Sequence, residues 1–188
     1  MSDTNFSYNL RLNHGTSGSF SNKIMTEGLK LPTQRREDHW LGNGIYFFRE
    51  DRDQALFWAR AKFRNRSKET EVHVIETIIT VGSENFLNLD SRGGMDNLKA
   101  FSSSLKDVLK GMNFQNSSPE KLRNFIMDLL PKKYTVIQRT FDGKSSFDKI
   151  KFFIDADLHL HGVQVCVRDI SAINGDNNVV IKSPLYHG

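Results

Sequence analysis

The feature that constrains the fold most is a glycine-rich turn that leads into an apolar run, Leu41-Gly42-Asn43-Gly44-Ile45-Tyr46-Phe47-Phe48. Two glycines permit a tight turn that a ligand or another backbone can approach closely, and the apolar and aromatic residues after them predict a buried strand. Tyr46 is therefore expected at a glycine-lined mouth. A simple turn into a core strand, with Tyr46 as one more buried aromatic residue, accounts for the same run.

A second strand end lies upstream of this turn. Residues 10–13 alternate between apolar and polar side chains like a short strand and run into His14-Gly15-Thr16. A histidine thus lies beside a glycine at the predicted end of the strand. If this strand and the strand of Tyr46 pair side by side in one sheet, their ends form a single cleft.

The order of these motifs resembles a known class of enzymes. His14-Gly15-Thr16 after a first strand, a helix ending near Gly28, and then Gly42-x-Gly44-x-Tyr46-Phe47 are similar to the histidine-tyrosine class of NAD-dependent ADP-ribosyltransferases. This is the diphtheria-toxin and poly(ADP-ribose) polymerase-like branch. The resemblance covers the first third of the chain well and the rest loosely. It implies a mixed α/β (α+β) fold with two apposed, mainly antiparallel sheets, flanking helices and an NAD cleft between the sheets.

The resemblance also implies roles for the motif residues. His14 would hydrogen-bond the adenosine ribose of NAD, the Gly15 backbone would hold the nicotinamide amide, and Tyr46 would stack on the nicotinamide ring. The residue types suit these roles, because imidazole offers a donor and an acceptor, glycine permits close approach, and tyrosine presents an aromatic face. The expected NAD-binding set is His14, Gly15, Thr16, Arg35, Gly44 and Tyr46.

A polar stretch over residues 30–40 has no clear period and predicts a surface loop above the cleft. Loops of this length without regular structure are more often functional than idle. Proteins of the class that this chain resembles hold their dinucleotide under such a donor loop, and Arg35 falls within it.

The third catalytic position of the class, usually a glutamate near the start of a late strand, is where the sequence departs. Gln164 is the best match, because it opens an alternating strand over residues 163–169 whose valines share one face. Its amide can hydrogen-bond a ribose hydroxyl but carries no negative charge to stabilise a developing cation. A second alignment, ranked lower, places Cys166 where the acid would be. Asp155 and Asp157 come next if Gln164 is an ordinary strand position.

Length and composition predict one domain over residues 1–188, with a helical insert at approximately residues 95–130. Cys166 is the sole cysteine, which excludes an internal disulfide and a cysteine-rich zinc site. His159 and His161 lack further ligands at a recognisable spacing, so no metal is expected. With no long apolar run and no signal-peptide pattern, a cytoplasmic protein without membrane contact is expected.

Charge points weakly to a polyanionic partner. The formal net charge is +4, and Arg60, Arg64 and Lys68 recur at four-residue intervals near the end of one predicted helix. Two interpretations are open. The cations complement the C-terminal end of the helix dipole on a solvated face, or they contact nucleic acid.

The function that the resemblance implies is transfer of one ADP-ribose from NAD to a macromolecule, with RNA or DNA as the favoured acceptor. Loss of the catalytic acid argues against chain elongation first. Small bacterial proteins similar to this one are often toxins of toxin-antitoxin or phage-defence modules, so an antitoxin is an expected partner. Three alternatives stay open: an inactive NAD- or ADP-ribose-binding module, an NAD glycohydrolase, and an RNA 2′-phosphotransferase. The last would need cleft arginines, for which the candidates are Arg11, Arg35, Arg36 and Arg168.

Overall fold

A computed structural model describes residues 6–34, 39–64, 71–105, 119–142, 161–173 and 179–184. This part of the chain belongs to the α+β class that the sequence predicted. In chain order its elements are β1 (Ser7–Ser17), α1 (Gly18–Glu27), β2 (Ile45–Arg49), α2 (Arg52–Phe63), β3 (Glu71–Gly82), β4 (Phe86–Asn88), α3 (Arg92–Ser104), α4 (Pro119–Leu129), β5 (Val136–Asp142), β6 (His161–Val167), a short 3₁₀ helix (Ile170–Ala172) and β7 (Val179–Pro184).

The described strands form one seven-stranded sheet in the order β4-β5-β6-β2-β1-β3-β7. Only β4 and β5 run parallel among these neighbours. We expected two apposed sheets, but the described strands form a single sheet. The junction in the middle of this sheet is short, since β1 and β2 pair only at Leu12 with Arg49 and at Asn13 with Phe48. By contrast, β1 pairs with β3 along its whole length from Ser7 to Ser17. The sheet therefore has two halves that meet through two residue pairs and diverge beyond them.

The first strand is longer than the sequence indicated. Residues 10–13 were the predicted strand, with His14-Gly15-Thr16 at its end, but β1 continues through all three residues to Ser17. The reason is the partner strand β3, whose residues Glu76 to Val72 pair with residues 13–17 of β1. His14 and Gly15 thus lie inside a strand, beside the point where β2 leaves it.

Helix α1 has the predicted caps but a different buried face. The Ser17 side chain accepts from the Phe20 N–H at its start, and Gly28, with φ 78°, donates its N–H to the Ile24 carbonyl at its end. We expected Phe20, Ile24 and Met25 to face the core, but the helix buries Gly18 and Ser21. These small residues let α1 approach β3 closely, so Phe20 and Met25 are left about half exposed.

Helix α2 begins where Asp51-Arg52-Asp53 predicts a helix with acidic residues in its first turn, and Asp51 is its N-cap. The Asp51 carboxylate accepts from the Gln54 N–H at 2.9 Å. Ala55, Ala59 and Phe63 form its buried apolar stripe, and the helix packs on β1 and β3. Because Ala55 and Ala59 are small, the helix axis comes close to the β1 backbone at Gly15.

The core lies on both faces of the sheet. One cluster is formed by Leu10, Leu12, Ile45, Phe47, Ile79, Val81, Phe86, Val136, Val165 and Val167. A second cluster lies under the helical part and is formed by Leu41, Leu87, Leu89, Met127, Leu130, Tyr134, Ile137 and Cys166. A third, smaller cluster joins α2 to β3 and is formed by Ala59, Phe63 and Val72. The predicted alternation along β6 is confirmed, because its valines face the first cluster and Cys166 faces the second.

Helices α3 and α4 confirm helical structure within the predicted insert. Met127 and Leu130 are buried, whereas Leu129, which was expected on the apolar face, is 41% exposed. The helical pattern that begins at about residue 95 continues to residue 111, and residues 149–154 predict a strand, but positions 106–111 and 149–154 lie outside the described part of the chain. The same holds for the residues singled out in the sequence, Arg35, Arg36, Lys68, Asp155, Asp157 and His159. No helix of the described ranges is long and apolar enough to cross a membrane.

Candidate functional site

A cavity of about 580 Å³ opens where β1 and β2 diverge. Its wall includes the predicted site residues His14, Gly15, Thr16, Gly44, Tyr46 and Gln164. Helices α1 and α2 and residues 29–32 and 39–40 supply much of the remaining wall. The volume lies within the range of about 300–1,000 Å³ that is usual for small-molecule sites. The structure thus brings six of the predicted site residues together, and the seventh, Arg35, lies outside the described residues.

The edge of β1 is open at Gly15. The Arg11 carbonyl accepts from the Glu50 N–H at 3.0 Å, so the backbone groups of Arg11 point toward β2. Every second residue of a strand directs its N–H and C=O to the same side, so the Gly15 groups also point toward β2. The pairing of the two strands has ended at Asn13. Gly15 therefore presents a backbone donor and a backbone acceptor to the gap at the cavity wall.

His14 helps to keep this gap open. Continuing the β1–β2 register would place Gly15 opposite Tyr46, but the Tyr46 carbonyl lies 2.7 Å from His14 Nδ1 instead. A carbonyl only accepts, so Nδ1 carries a proton. Burial lowers the pKa of His14 more strongly than its bond to the Tyr46 carbonyl raises it. The neutral imidazole then leaves Nε2 as a hydrogen-bond acceptor on a residue that lines the cavity.

Tyr46 fixes the glycine turn from within. Its hydroxyl accepts from the Leu41 N–H at 2.6 Å and donates to the Gly42 carbonyl at 2.9 Å. Burial raises the pKa of this phenol, so the hydroxyl keeps its proton and its role as a donor. The ring lies against the cluster around Cys166 and also stacks with the His39 ring, at a centroid distance of 4.8 Å and an angle of 30°. The predicted stacking of Tyr46 on nicotinamide stays a prediction. In the structure the Tyr46 ring already stacks with the His39 ring.

Gly44 lines the cavity and also packs against the neighbouring strand β6, which leaves no space for a side chain. A Cβ atom at this position would lie 2.5 Å from Cys166 Sγ and 2.7 Å from the Val167 carbonyl oxygen. Cys166 is fully buried, and burial raises the pKa of its thiol to about 12. A cysteine in a valine-rich strand is more often a buried small residue than a nucleophile, and the burial of Cys166 confirms this interpretation. Neither a nucleophile nor a replacement for the missing acid is supported at Cys166, which is not among the residues that line the cavity.

Gln164 reaches the cavity from the other half of the sheet. It lies on β6, where it pairs with Phe48 on one side and Arg139 on the other. Its side chain is half-buried and lines the same cavity as His14 and Tyr46. The three residues predicted to be catalytic thus come from three strands to one cavity.

Two of the arginines that the sequence suggested, Arg11 and Arg168, lie in the described part of the chain, and both are engaged elsewhere. Arg11 pairs with Glu76 at 2.7 Å, and Arg168 donates to the carbonyls of Leu130, Pro131 and Tyr134 at the end of α4. Neither lines the cavity. Among the described residues, the lysines and carboxylates of the wall are Lys23, Glu27, Lys30 and Lys62, and Lys30 pairs with Glu27 at 2.7 Å. Lysines, rather than Arg11 or Arg168, therefore supply positive charge at this part of the cavity wall.

Sequence reasoning missed three aromatic residues of the wall. The sequence pattern places His39 in a loop, predicts that Trp58 packs with the apolar residues of its helix, and puts Phe20 on the apolar side of a short amphipathic helix. All three line the cavity, and Trp58 and Phe20 are 46% and 47% exposed. For Trp58 a signal existed, since it lies one position off the stripe of Ala55, Ala59 and Phe63 and so turns away from the sheet.

Removing the Tyr46 hydroxyl should cost stability. In a Tyr46→Phe variant the Leu41 N–H and the Gly42 carbonyl lose their partner, which we expect to lower the free energy of unfolding by about 1–3 kcal/mol. Urea denaturation measures the free energy of unfolding. Tyr8→Phe is the control, because it also removes a tyrosine hydroxyl but keeps the ring that packs edge-on against Phe86. Equal losses in the two variants would show that the glycine turn does not depend on the hydroxyl. Tyr46→Ala would also remove a core contact and is the less specific change.

Comparisons with known proteins are sparse. No protein-family model matches the chain. An uncharacterised protein of Methanocaldococcus jannaschii is 41% identical over 59 residues, a segment that covers 31% of this chain and 27% of that protein. The chain therefore spans only about a quarter of the length of this curated relative. Within the described residues no group of three or more histidine, cysteine or acidic side chains is placed to hold a metal ion.

Proposed function

We propose that this protein is an NAD-dependent mono-ADP-ribosyltransferase with an ADP-ribosyltransferase-type fold. The observation that supports the proposal most is the divergence of β1 and β2. It opens the Gly15 backbone to a cavity that His14, Tyr46 and Gln164 also line. In this arrangement a dinucleotide is bound across the junction of the two sheet halves.

The open edge of β1 suits the nicotinamide end of NAD. A carboxamide carries one donor group and one acceptor group, and the Gly15 N–H and C=O form the complementary pair. His14 Nε2 is an acceptor suited to a ribose hydroxyl, and its position is fixed by the bond from Nδ1 to the Tyr46 carbonyl. Lys23 and Lys62 line the same cavity and supply positive charge for the pyrophosphate. Binding therefore uses fixed groups, which reduces the entropic cost of orienting the substrate.

The reaction breaks the bond between nicotinamide and C1 of its ribose and forms a bond from that carbon to an oxygen or nitrogen atom of the acceptor. The acceptor atom gives up a proton, and neutral nicotinamide leaves. Positive charge develops on the sugar as the bond to nicotinamide weakens, so groups that hold the ribose hydroxyls contribute most in the transition state. In this proposal Gln164 is the group that holds a hydroxyl of the nicotinamide ribose. Its neutral amide orients the sugar without the charge stabilisation of a carboxylate, which favours transfer of a single unit over chain growth.

The acceptor in this proposal is a macromolecule, RNA or DNA before protein, and the protein acts as a toxin or defence effector that an antitoxin neutralises. The presence of Gln164 in place of an acid also favours a second candidate, an inactive module that binds NAD or ADP-ribose. An NAD glycohydrolase would use the same cavity without an acceptor. An RNA 2′-phosphotransferase would need arginines around the cavity, and two of its four candidates, Arg11 and Arg168, are engaged away from it.

Incubation with adenylate-labelled NAD and total cell extract tests the proposal. We expect free nicotinamide together with label that becomes soluble after nuclease or protease treatment. A folded His14→Ala variant should lose both signals, because it removes the imidazole between the two strands. Nicotinamide release without labelled polymer would indicate a glycohydrolase, and NAD binding by calorimetry without release would indicate the inactive module. Absence of NAD binding would refute the proposal.

A further inference from the structure

The outer surface of helix α2 combines exposed aromatic and basic side chains. Phe57 is 51% exposed and Trp58 is 46% exposed, and Arg60, Lys62 and Arg64 are exposed as well. No acidic residue occurs between positions 54 and 64. These five residues are called the α2 surface below.

Helical periodicity divides the α2 surface into two adjoining rows. Phe57, Arg60 and Arg64 follow one another at three and four positions along one row. Trp58 and Lys62, four positions apart, form the second row, and both line the cavity. Across the mouth, Phe20 and Lys23 of α1 line the same cavity. The α2 surface thus extends from the solvent to the cavity mouth. An aromatic ring and a lysine lie on each side of this mouth, Trp58 and Lys62 on α2 and Phe20 and Lys23 on α1.

The dipole of α2 explains only part of this surface. Cations in the last turn of a helix gain about 0.3–1 kcal/mol each from the dipole, which accounts for basic residues near the end of α2. It does not account for two large aromatic side chains left half exposed beside them. A membrane-inserting helix is also a poor fit, because the apolar stripe of Ala55, Ala59 and Phe63 is buried against the sheet.

We propose that the α2 surface binds single-stranded nucleic acid and leads one nucleotide to the cavity as the acceptor. Cations along a strand neutralise phosphates, and exposed rings stack on unpaired bases of any sequence. Bases inside a duplex already stack on each other and are closed to such rings, so the surface selects single strands. The binding step stands on the α2 surface alone, and only the role of the strand as acceptor rests on the proposed transferase.

Fluorescence anisotropy tests binding without NAD, using labelled single-stranded RNA and DNA of mixed sequence and the matching duplexes over a series of salt concentrations. We expect tighter binding of single strands. Phe57→Ala should weaken it by about 5- to 150-fold, the equivalent of losing one base stack. Arg60→Glu combined with Arg64→Glu should flatten the salt dependence.

Two controls match these variants. Phe6→Ala removes an aromatic side chain that is 52% exposed and far along the chain from α2, and should leave binding unchanged. Arg92→Glu with Lys99→Glu makes the same change of net charge on exposed residues of α3. The inference is overturned if single strands and duplexes bind equally well and Phe57→Ala binds with full affinity. It is also overturned if charge reversal on α3 weakens binding as much as charge reversal on α2, or if the wild-type protein shows no salt-sensitive binding.

Failure of this inference can be separated from failure of the transferase proposal. Phe57 does not line the cavity. Nicotinamide release by Phe57→Ala, measured without nucleic acid, should therefore equal that of the wild type, while labelling of added nucleic acid falls. A protein that binds single strands through α2 but never binds NAD would refute the transferase and leave the α2 surface in place. A protein that releases nicotinamide but labels only protein would overturn the acceptor role.

Discussion

Replacing Gly15 with alanine should destabilise the protein severely, because the new methyl group has no space. A Cβ atom at Gly15 would overlap the carbonyl oxygen of Ala55 and lie 2.9 Å from its carbonyl carbon and 3.0 Å from Ala59 Cβ. The first two are backbone atoms of α2, so relief requires the helix to move off the sheet. Overpacking typically costs about 1–3 kcal/mol, and we expect a loss at or above the top of that range.

Gly93→Ala is the matched control. A Cβ atom at Gly93 meets no atom within 4 Å, and the residue lies in the first turn of α3. Alanine there should be neutral or should stabilise the protein by up to about 1 kcal/mol. Chemical denaturation of both variants gives the comparison. Wild-type stability in Gly15→Ala would mean that α2 does not pack on β1 as described.

The two motif glycines show what a sequence leaves undecided. Gly44 was interpreted as a position that a ligand or another backbone approaches closely, and Gly15 as a position where a ligand does, and both line the cavity. Each also faces a backbone neighbour that excludes a side chain, α2 at Gly15 and β6 at Gly44. A glycine indicates close approach but not the identity of the approaching atom, which depends on contacts between residues far apart in the chain.

Local patterns predicted the elements better than their partners. Neighbouring residues alone predict the caps of α1, the start of α2, a strand in the β-branched run of β3 and the alternating faces of β6, and the structure has all four. The length of β1 and the single sheet depend on which strand lies alongside, so they could not be inferred locally. His39 is a similar case, because its stacking on Tyr46 arises from the path of residues 39–46 and not from any spacing motif.

Gln164→Ala is expected to reduce turnover far more than it reduces affinity for NAD. If the amide holds the ribose while the sugar flattens and gains charge, its contribution is larger in the transition state than in the bound substrate. Loss of one such preorganised hydrogen-bonding group costs about 10²–10³-fold in kcat in other enzymes, and we expect a loss of that order. Single-turnover nicotinamide release and calorimetric NAD binding measure the two quantities separately.

Val163→Ala is the control for strand damage, because Val163 is the half-buried neighbour of Gln164 on β6 and its side chain points to the other face of the strand. Its kcat should stay near that of the wild type. Gln164→Glu then tests the chemistry, since a carboxylate keeps the hydrogen bond to a ribose hydroxyl and adds the charge that favours bond cleavage. If Gln164→Ala keeps full activity, Gln164 is an ordinary strand position. The third catalytic group would then be sought at Asp155 or Asp157 and not at Cys166, whose thiol is buried and protonated.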